Sequence, residues 1–296
     1  MKLEFIGVPL WYGCVNPGTE QAYDLFCKAG LEELAVSCGH TVEKNAAIVI
    51  PEDHDKELDS TMQYLTGTVA SCRNLEQAVS SAMEQKHFPV VIGGDHALAI
   101  GSISGVNHHI PAEELSVVWV DAHTDINTNE SSDSHHIHGM PAAACLGLGS
   151  RKLIDGFGKT DVKILPKNLF YIGARSVDDP EWEILAQQGI RVFKMTEVKE
   201  KGMEKSVEEL LSLIDTPNLH VSFDVDFIDS AEFHATGLPI PDGPSIADTH
   251  LCLSRLLQSG KVCSMDIVEY SPKNDEDRSG LQTCMDLMKT CFTSLK

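Results

Sequence analysis

Short apolar runs recur along the chain, and most are followed by a longer amphipathic segment. Residues 3–8, 88–94, 115–120, 168–173, 191–195, 219–225 and 262–268 read as strands, and 47–50 as a short one stopped by Pro51. Their β-branched and aromatic residues, bounded by Gly, Pro or polar positions, favour strand over helix. Helical patterns cover residues 20–36, roughly 59–85, the stretch after His96, 141–148, a segment begun by Pro180 and Glu181, then 197–215, 245–259 and 279–295. Leu281, Met285, Met288, Phe292 and Leu295 fall at helical spacing in the last of these. Strand–helix alternation from start to finish predicts an α/β fold with three layers, a parallel sheet between helices. No linker, low-complexity tract or internal repeat interrupts it, so residues 1–296 are expected to form a single domain.

Three of the apolar runs stop at residues that carry chemistry. Val117, Val118, Trp119 and Val120 lead into Asp121, His123 and Asp125; residues 88–94 lead into Asp95 and His96; residues 219–223 lead into Asp224 and Asp226. On an extended backbone a spacing of two turns Asp121, His123 and Asp125 to one side. Carboxylates and an imidazole crowded at the end of a buried strand conflict with one another unless a cation sits among them. Open α/β sheets bind ligands at the carboxyl ends of their strands, where the three sets can meet. Singly, each has a plainer explanation: Asp95 ahead of HALAI is a helix-capping signal, and Asp224 and Asp226 suit a turn. Recurrence of one pattern in one context favours a metal site. The polar stretch 127–139 follows a strand that bears such residues, which makes it a candidate substrate-binding loop.

Charge and cysteine usage narrow the partners and the compartment. With 44 acidic and 23 basic residues the net charge is −21, which argues against nucleic acid and anionic membranes. No run is long enough to span a membrane, and MKLEFIGVPL lacks signal-peptide architecture, so a cytoplasmic protein is expected. The nine cysteines include no Cys-x-x-Cys pair, which fits reduced thiols rather than a disulfide framework. Cys284 and Cys291, seven apart on a predicted helix, are expected to face the core.

GGDH (93–96), DAHTDIN (121–127), HGMP (138–141) and SFDVDFID (222–229) stand in an order and spacing that resemble the ureohydrolases, arginases in particular. IGVP, KAGL (28–31), YIGAR (171–175) and DIVEYSP (266–272) extend the likeness over nearly the whole chain. Asn127 and the ATG at 235–237 resemble arginases more than agmatinases. The resemblance implies a parallel eight-stranded sheet and two Mn(2+) per subunit. One ion would take His96, Asp121, Asp125 and Asp224, and the other His123, Asp121, Asp224 and Asp226. Independently, four carboxylates and two imidazoles without a thiolate suit Mn(II) better than structural zinc. The resemblance further implies hydrolysis of L-arginine to L-ornithine and urea by a hydroxide that bridges the manganese pair. Asp125 would take the nucleophile's proton, His138 would shuttle a proton to solvent, and Glu269 would pair with the guanidinium. Asn127, Ser132 and Ser134 would hold the α-carboxylate, and Asp178 with Glu181 the α-amino group; His136 stands where an Asn commonly touches substrate. A homotrimer or hexamer is also implied. Ala97, Ser176, Ser230, His234 and Leu238 depart from the family pattern, and none of them is a proposed ligand. Two other readings stand beside arginase: an agmatinase or other guanidino-substrate ureohydrolase, and a catalytically silent member acting as sensor or scaffold. The intact ligand set argues against the silent member.

Overall fold

The computed structural model describes residues 1–53 and 59–295. Its strands are β1 (Lys2–Gly7), β2 (Thr41–Ala47), β3 (Phe88–Ile92), β4 (Leu115–Val120), β5 (Leu169–Ile172), β6 (Arg191–Phe193), β7 (Asn218–Asp224) and β8 (Val262–Val268). They form one eight-stranded sheet in the order β2-β1-β3-β8-β7-β4-β5-β6, parallel at every pairing. Helices cover both faces, as the alternation predicts. Every residue of β4 is buried. Val117 and Trp119 join Val91 and Tyr171 in the core on one face, and Val118 and Val120 join Phe5 and Phe223 on the other. Burial on both faces is why these strands read as unbroken apolar runs.

Strand order places the site. The chain leaves β3 and re-enters the sheet at β4, three positions away, and β7 and β8 later fill the two places between them. Such a crossing opens a crevice at the carboxyl edge of the sheet. The four strands bordering it, β3, β8, β7 and β4, are those followed by His96, Glu269, Asp224 and Asp121.

Three local expectations need correction. The second strand is Thr41–Ala47, not 47–50. TVEKNAA is largely exposed and lacks an apolar face, so hydrophobic pattern cannot reveal it. It is an edge strand held by backbone pairing to β1, with Lys44 3.1 Å from Glu4. The helices expected over 20–36 and 197–215 are each broken in two, at Gly30 (φ 91°) and Gly202 (φ 86°). The helix expected from about residue 59 begins at Leu65, after a turn. Cys284 and Cys291 do face the core, and no described helix is long and apolar enough to cross a membrane.

Helices Leu65–Glu84 and Ala99–Asn107 lie against each other, and glycines set how closely. A Cβ on Gly101 would stand 2.4 Å from the Cys72 carbonyl oxygen, and one on Gly105 2.6 Å from Val79 Cβ. Gly101→Ala must push the helices apart, so it is expected to cost about 1–3 kcal/mol, the usual range for overpacking. A lowered melting temperature reads this; an unchanged one contradicts it.

Candidate metal centre and substrate cleft

β4 stops at Val120, and Asp121–Asn127 is not strand. Asp121, His123 and Asp125 therefore do not converge by strand alternation, which corrects the geometric argument from spacing. A turn brings them together. The His123 amide donates to Asp121 Oδ1 at 2.7 Å, and Asp125 holds φ 47°, in the left-handed region. From β3, Gly93 and Gly94 carry the chain to His96 with φ 86° and 82°; a Cβ on Gly94 would stand 2.6 Å from the Val8 carbonyl oxygen. Asp95 is a helix cap, accepting from Ala97 N (3.0 Å) and Gly13 N (2.9 Å). At the end of β7, Asp224 likewise accepts from Asp226 N at 2.8 Å.

These turns bring six side chains into one set, all buried but His123, which is half-buried. His96 Nδ1 lies 3.0 Å from Asp121 Oδ2, 2.9 Å from Asp125 Oδ2 and 3.2 Å from Asp224 Oδ2. His123 Nδ1 lies 2.9 Å from Asp226 Oδ2 and 3.5 Å from Asp121 Oδ1. Two groups of ligand atoms result, each within 4.8 Å: His96 with Asp121 and Asp224, and Asp121 with His123 and Asp226. Asp121 belongs to both, one oxygen towards each imidazole.

The donor set fits a pair of divalent cations. Although three carboxylate oxygens surround it, His96 Nδ1 is buried and makes no well-directed hydrogen bond. An imidazole lone pair and carboxylate oxygens around a common point is the arrangement a cation completes. The other ring nitrogen of His96 is fixed from behind. Nε2 contacts Ser222 Oγ at 2.9 Å, and Asp266 Oδ2 accepts from Ser102 Oγ (2.6 Å) and Ser222 Oγ (3.4 Å) and lies 3.1 Å from His220 Nε2. The Trp119 ring stacks on His96 at 4.4 Å while its Nε1 donates to Asp121 Oδ2 at 3.0 Å. Such partners orient a ligand and tune it. The sequence reading missed this layer. Its signal was the alternation His220, Ser222, Asp224 along one strand face.

Without a cation the cluster is loaded with protons. Burial pushes the His96 and His123 imidazoles down, but the carboxylates around them outweigh it and hold both well above the usual histidine range. Burial and neighbouring carboxylates push Asp125 and Asp224 up, and Asp226 to about 6. Burial also opposes ionisation of Asp121, yet the two imidazoles hold it far below the carboxylate range. A divalent cation must displace these protons. Metal uptake near neutral pH is therefore expected to release protons, and affinity to rise with pH. Calorimetry in buffers of differing ionisation enthalpy reads this, and identical heats in every buffer would contradict it.

The cluster floors a cavity of about 190 Å³ whose wall includes Asn127, Ser132, Ser134, His138, Asp178 and Glu269. Glu269, at φ 66°, accepts through Oε1 from the His96 amide (2.9 Å) and contacts His138 Nδ1 at 3.0 Å. Burial pushes Glu269 up and His138 down, but the bond between them reverses both shifts, leaving Glu269 below and His138 above their usual ranges. Asn127 Nδ2 donates to Asp178 Oδ2 at 3.0 Å, and the Ser132 and Ser134 hydroxyls are 3.3 Å apart. Glu181 also borders the cavity, but both its oxygens accept hydrogen bonds from the protein. Its carboxyl is pushed by burial up to about 7. His136 is not in the wall; its ring stands 5.8 Å from that of His138. Leu238 borders the cavity and is 48% exposed. Thr236, noted in the sequence only as part of the ATG at 235–237, contributes a buried hydroxyl without a hydrogen-bond partner.

Residues 1–293 match the model of the arginase family. The chain belongs to the arginase family. It is thus a hydrolase of the ureohydrolase type. The arginase of Bacillus subtilis is 34% identical over 289 residues, spanning 97% of this chain and 96% of its own. A crystal structure of Bacillus subtilis arginase matches with a TM-score of 0.93 at 33% identity, covering 99% of this chain and 98% of that one. Entamoeba histolytica arginase in complex with L-ornithine matches at 0.89 and 31% identity, covering 98% and 97%. In this arginase-family chain, the departures Ala97, Ser176 and Leu238 leave all six clustered side chains in place.

Proposed function

We propose that this chain is an arginase that hydrolyses L-arginine to L-ornithine and urea with two Mn(2+) ions per subunit. One ion would be held by His96, Asp121, Asp125 and Asp224, the other by His123, Asp121, Asp224 and Asp226. The observation that carries this reading is the buried pair of ligand groups sharing Asp121 at the floor of a cavity walled by Glu269 and Asp178. A pair of cations so held supplies a lowered pKa for water at neutral pH, which an unreactive guanidinium needs.

The protein's own groups do the rest. Glu269, ionised and 5% exposed, would pair with the guanidinium and fix its carbon over the His and Asp cluster. Asp178 receives the α-amino group; Asn127, Ser132 and Ser134 receive the α-carboxylate. Asp125 takes the proton released by the nucleophile. His138, whose hold on its proton Glu269 strengthens, passes a proton between site and solvent. Agmatine has no carboxylate, so it would forgo the contacts with Asn127, Ser132 and Ser134. We also propose one domain over residues 1–296, a cytoplasmic location in keeping with nine free thiols, and a homotrimer or hexamer, which light scattering reads.

The test is urea release from L-arginine and agmatine side by side in Mn(II). Arginine is expected to be the better substrate. Preference for agmatine would overturn the roles of Asn127, Ser134 and Asp178.

A further inference from the structure

Glu181 is 4% exposed at the start of helix Asp179–Gln188. Its Oε1 accepts from Thr124 Oγ1 at 2.8 Å and from Ile126 N at 3.1 Å; its Oε2 accepts from Asp178 N at 2.9 Å. Thr124 and Ile126 are the two neighbours of Asp125, whose φ of 47° is uncommon for a residue with a side chain. From that turn Asp125 reaches to 2.9 Å from His96 Nδ1. On its other side Glu181 grips the amide of Asp178, whose Oδ2 accepts from Asn127.

We propose that Glu181 is a positioning residue that braces two parts of the site at once. One oxygen pins the turn that aims Asp125 into the metal cluster. The other pins the helix start that aims Asp178 into the cavity. The second half rests on the proposed role of Asp178 in binding the substrate's amino group. Three donors converge on this side chain, and its ionised carboxylate, which only accepts, satisfies them all. Glutamine has nearly the same shape but would turn an N–H towards another donor.

The test uses Glu181→Gln and Thr124→Val, singly and together, in the full chain loaded with Mn(II). In Glu181→Gln, metal retained after gel filtration should fall towards one Mn(II) per chain, because Asp125 serves the His96 group while Asp121, His123 and Asp226 keep their places. Its KM for L-arginine should rise and its kcat fall, each by ~10-fold, the lower end of what loss of a ligand's outer partner costs. Thr124→Val leaves the Asp178 bond intact, so it should weaken metal retention and kcat without moving KM. Combined with Glu181→Gln it should add nothing further. Two retained Mn(II) with wild-type KM in Glu181→Gln would overturn the proposal, as would additive metal losses in the double variant. So would a lowered melting temperature with metal count and KM unmoved. Should the wild-type chain fail to hydrolyse arginine, the proposed substrate falls, while the metal counts still decide the role of Glu181.

Discussion

Asp121→Asn is expected to strip the protein of both cations and to lower urea release by at least ~1,000-fold, beyond the ~10–100-fold typical of losing an outer partner. Asp121 is common to both ligand groups, with one oxygen 3.0 Å from His96 Nδ1 and the other 3.5 Å from His123 Nδ1. Asparagine keeps the shape but loses the charge, and its amide offers one acceptor where two are used. Folding should survive, because asparagine keeps the size of the side chain and Asp125, Asp224 and Asp226 remain beside the two imidazoles. Unchanged circular dichroism with metal lost in elemental analysis is the expected pair of results. Two metals retained with full turnover would show that the shared carboxylate does not join the groups.

Glu269→Gln is expected to reduce kcat/KM for L-arginine by ~100–1,000-fold with the metal count unchanged. A buried carboxylate facing a guanidinium is a charge pair, and truncating one side of such a pair costs ~2–5 kcal/mol. Glutamine still offers an acceptor to the His96 amide, so the metal cluster should hold its geometry. The pairing with His138 also weakens, which should lower the His138 pKa and move the alkaline side of the pH–rate profile, set by its protonated form, to lower pH. An unchanged kcat/KM would move guanidinium recognition elsewhere in the cavity, where Thr236 presents its unpaired hydroxyl.

The centre of the sheet was legible because β3, β4 and β7 are buried on both faces, so each apolar run ends abruptly where the chain reaches the site. Edge strand β2 was not, since an exposed strand held by backbone pairing leaves no hydrophobic pattern. Asp121, His123 and Asp125 were correctly singled out as a group brought together, but for the wrong geometric reason. Nothing in DAHTDIN announces that Asp125 turns left-handed, because the carboxylate bracing that turn lies at Glu181, 55 residues beyond Ile126. The support behind His96 needed strand order. Ser222 meets Asp266 only because β7 and β8 are neighbours, with these two residues in register. His136 shows the limit of carrying a role over by position: it sits in the expected loop but outside the cavity wall. The breaks at Gly30 and Gly202 follow from left-handed glycines inside otherwise continuous helical patterns.

Titrating chelator-treated protein with Mn(II) while counting bound metal and following urea release from L-arginine tests the account most directly. Urea release is predicted to be negligible without metal and to reach its full rate as the count approaches two per chain, consistent with two ligand groups sharing Asp121. Full turnover by the chelated protein, or none with two ions bound, would contradict it.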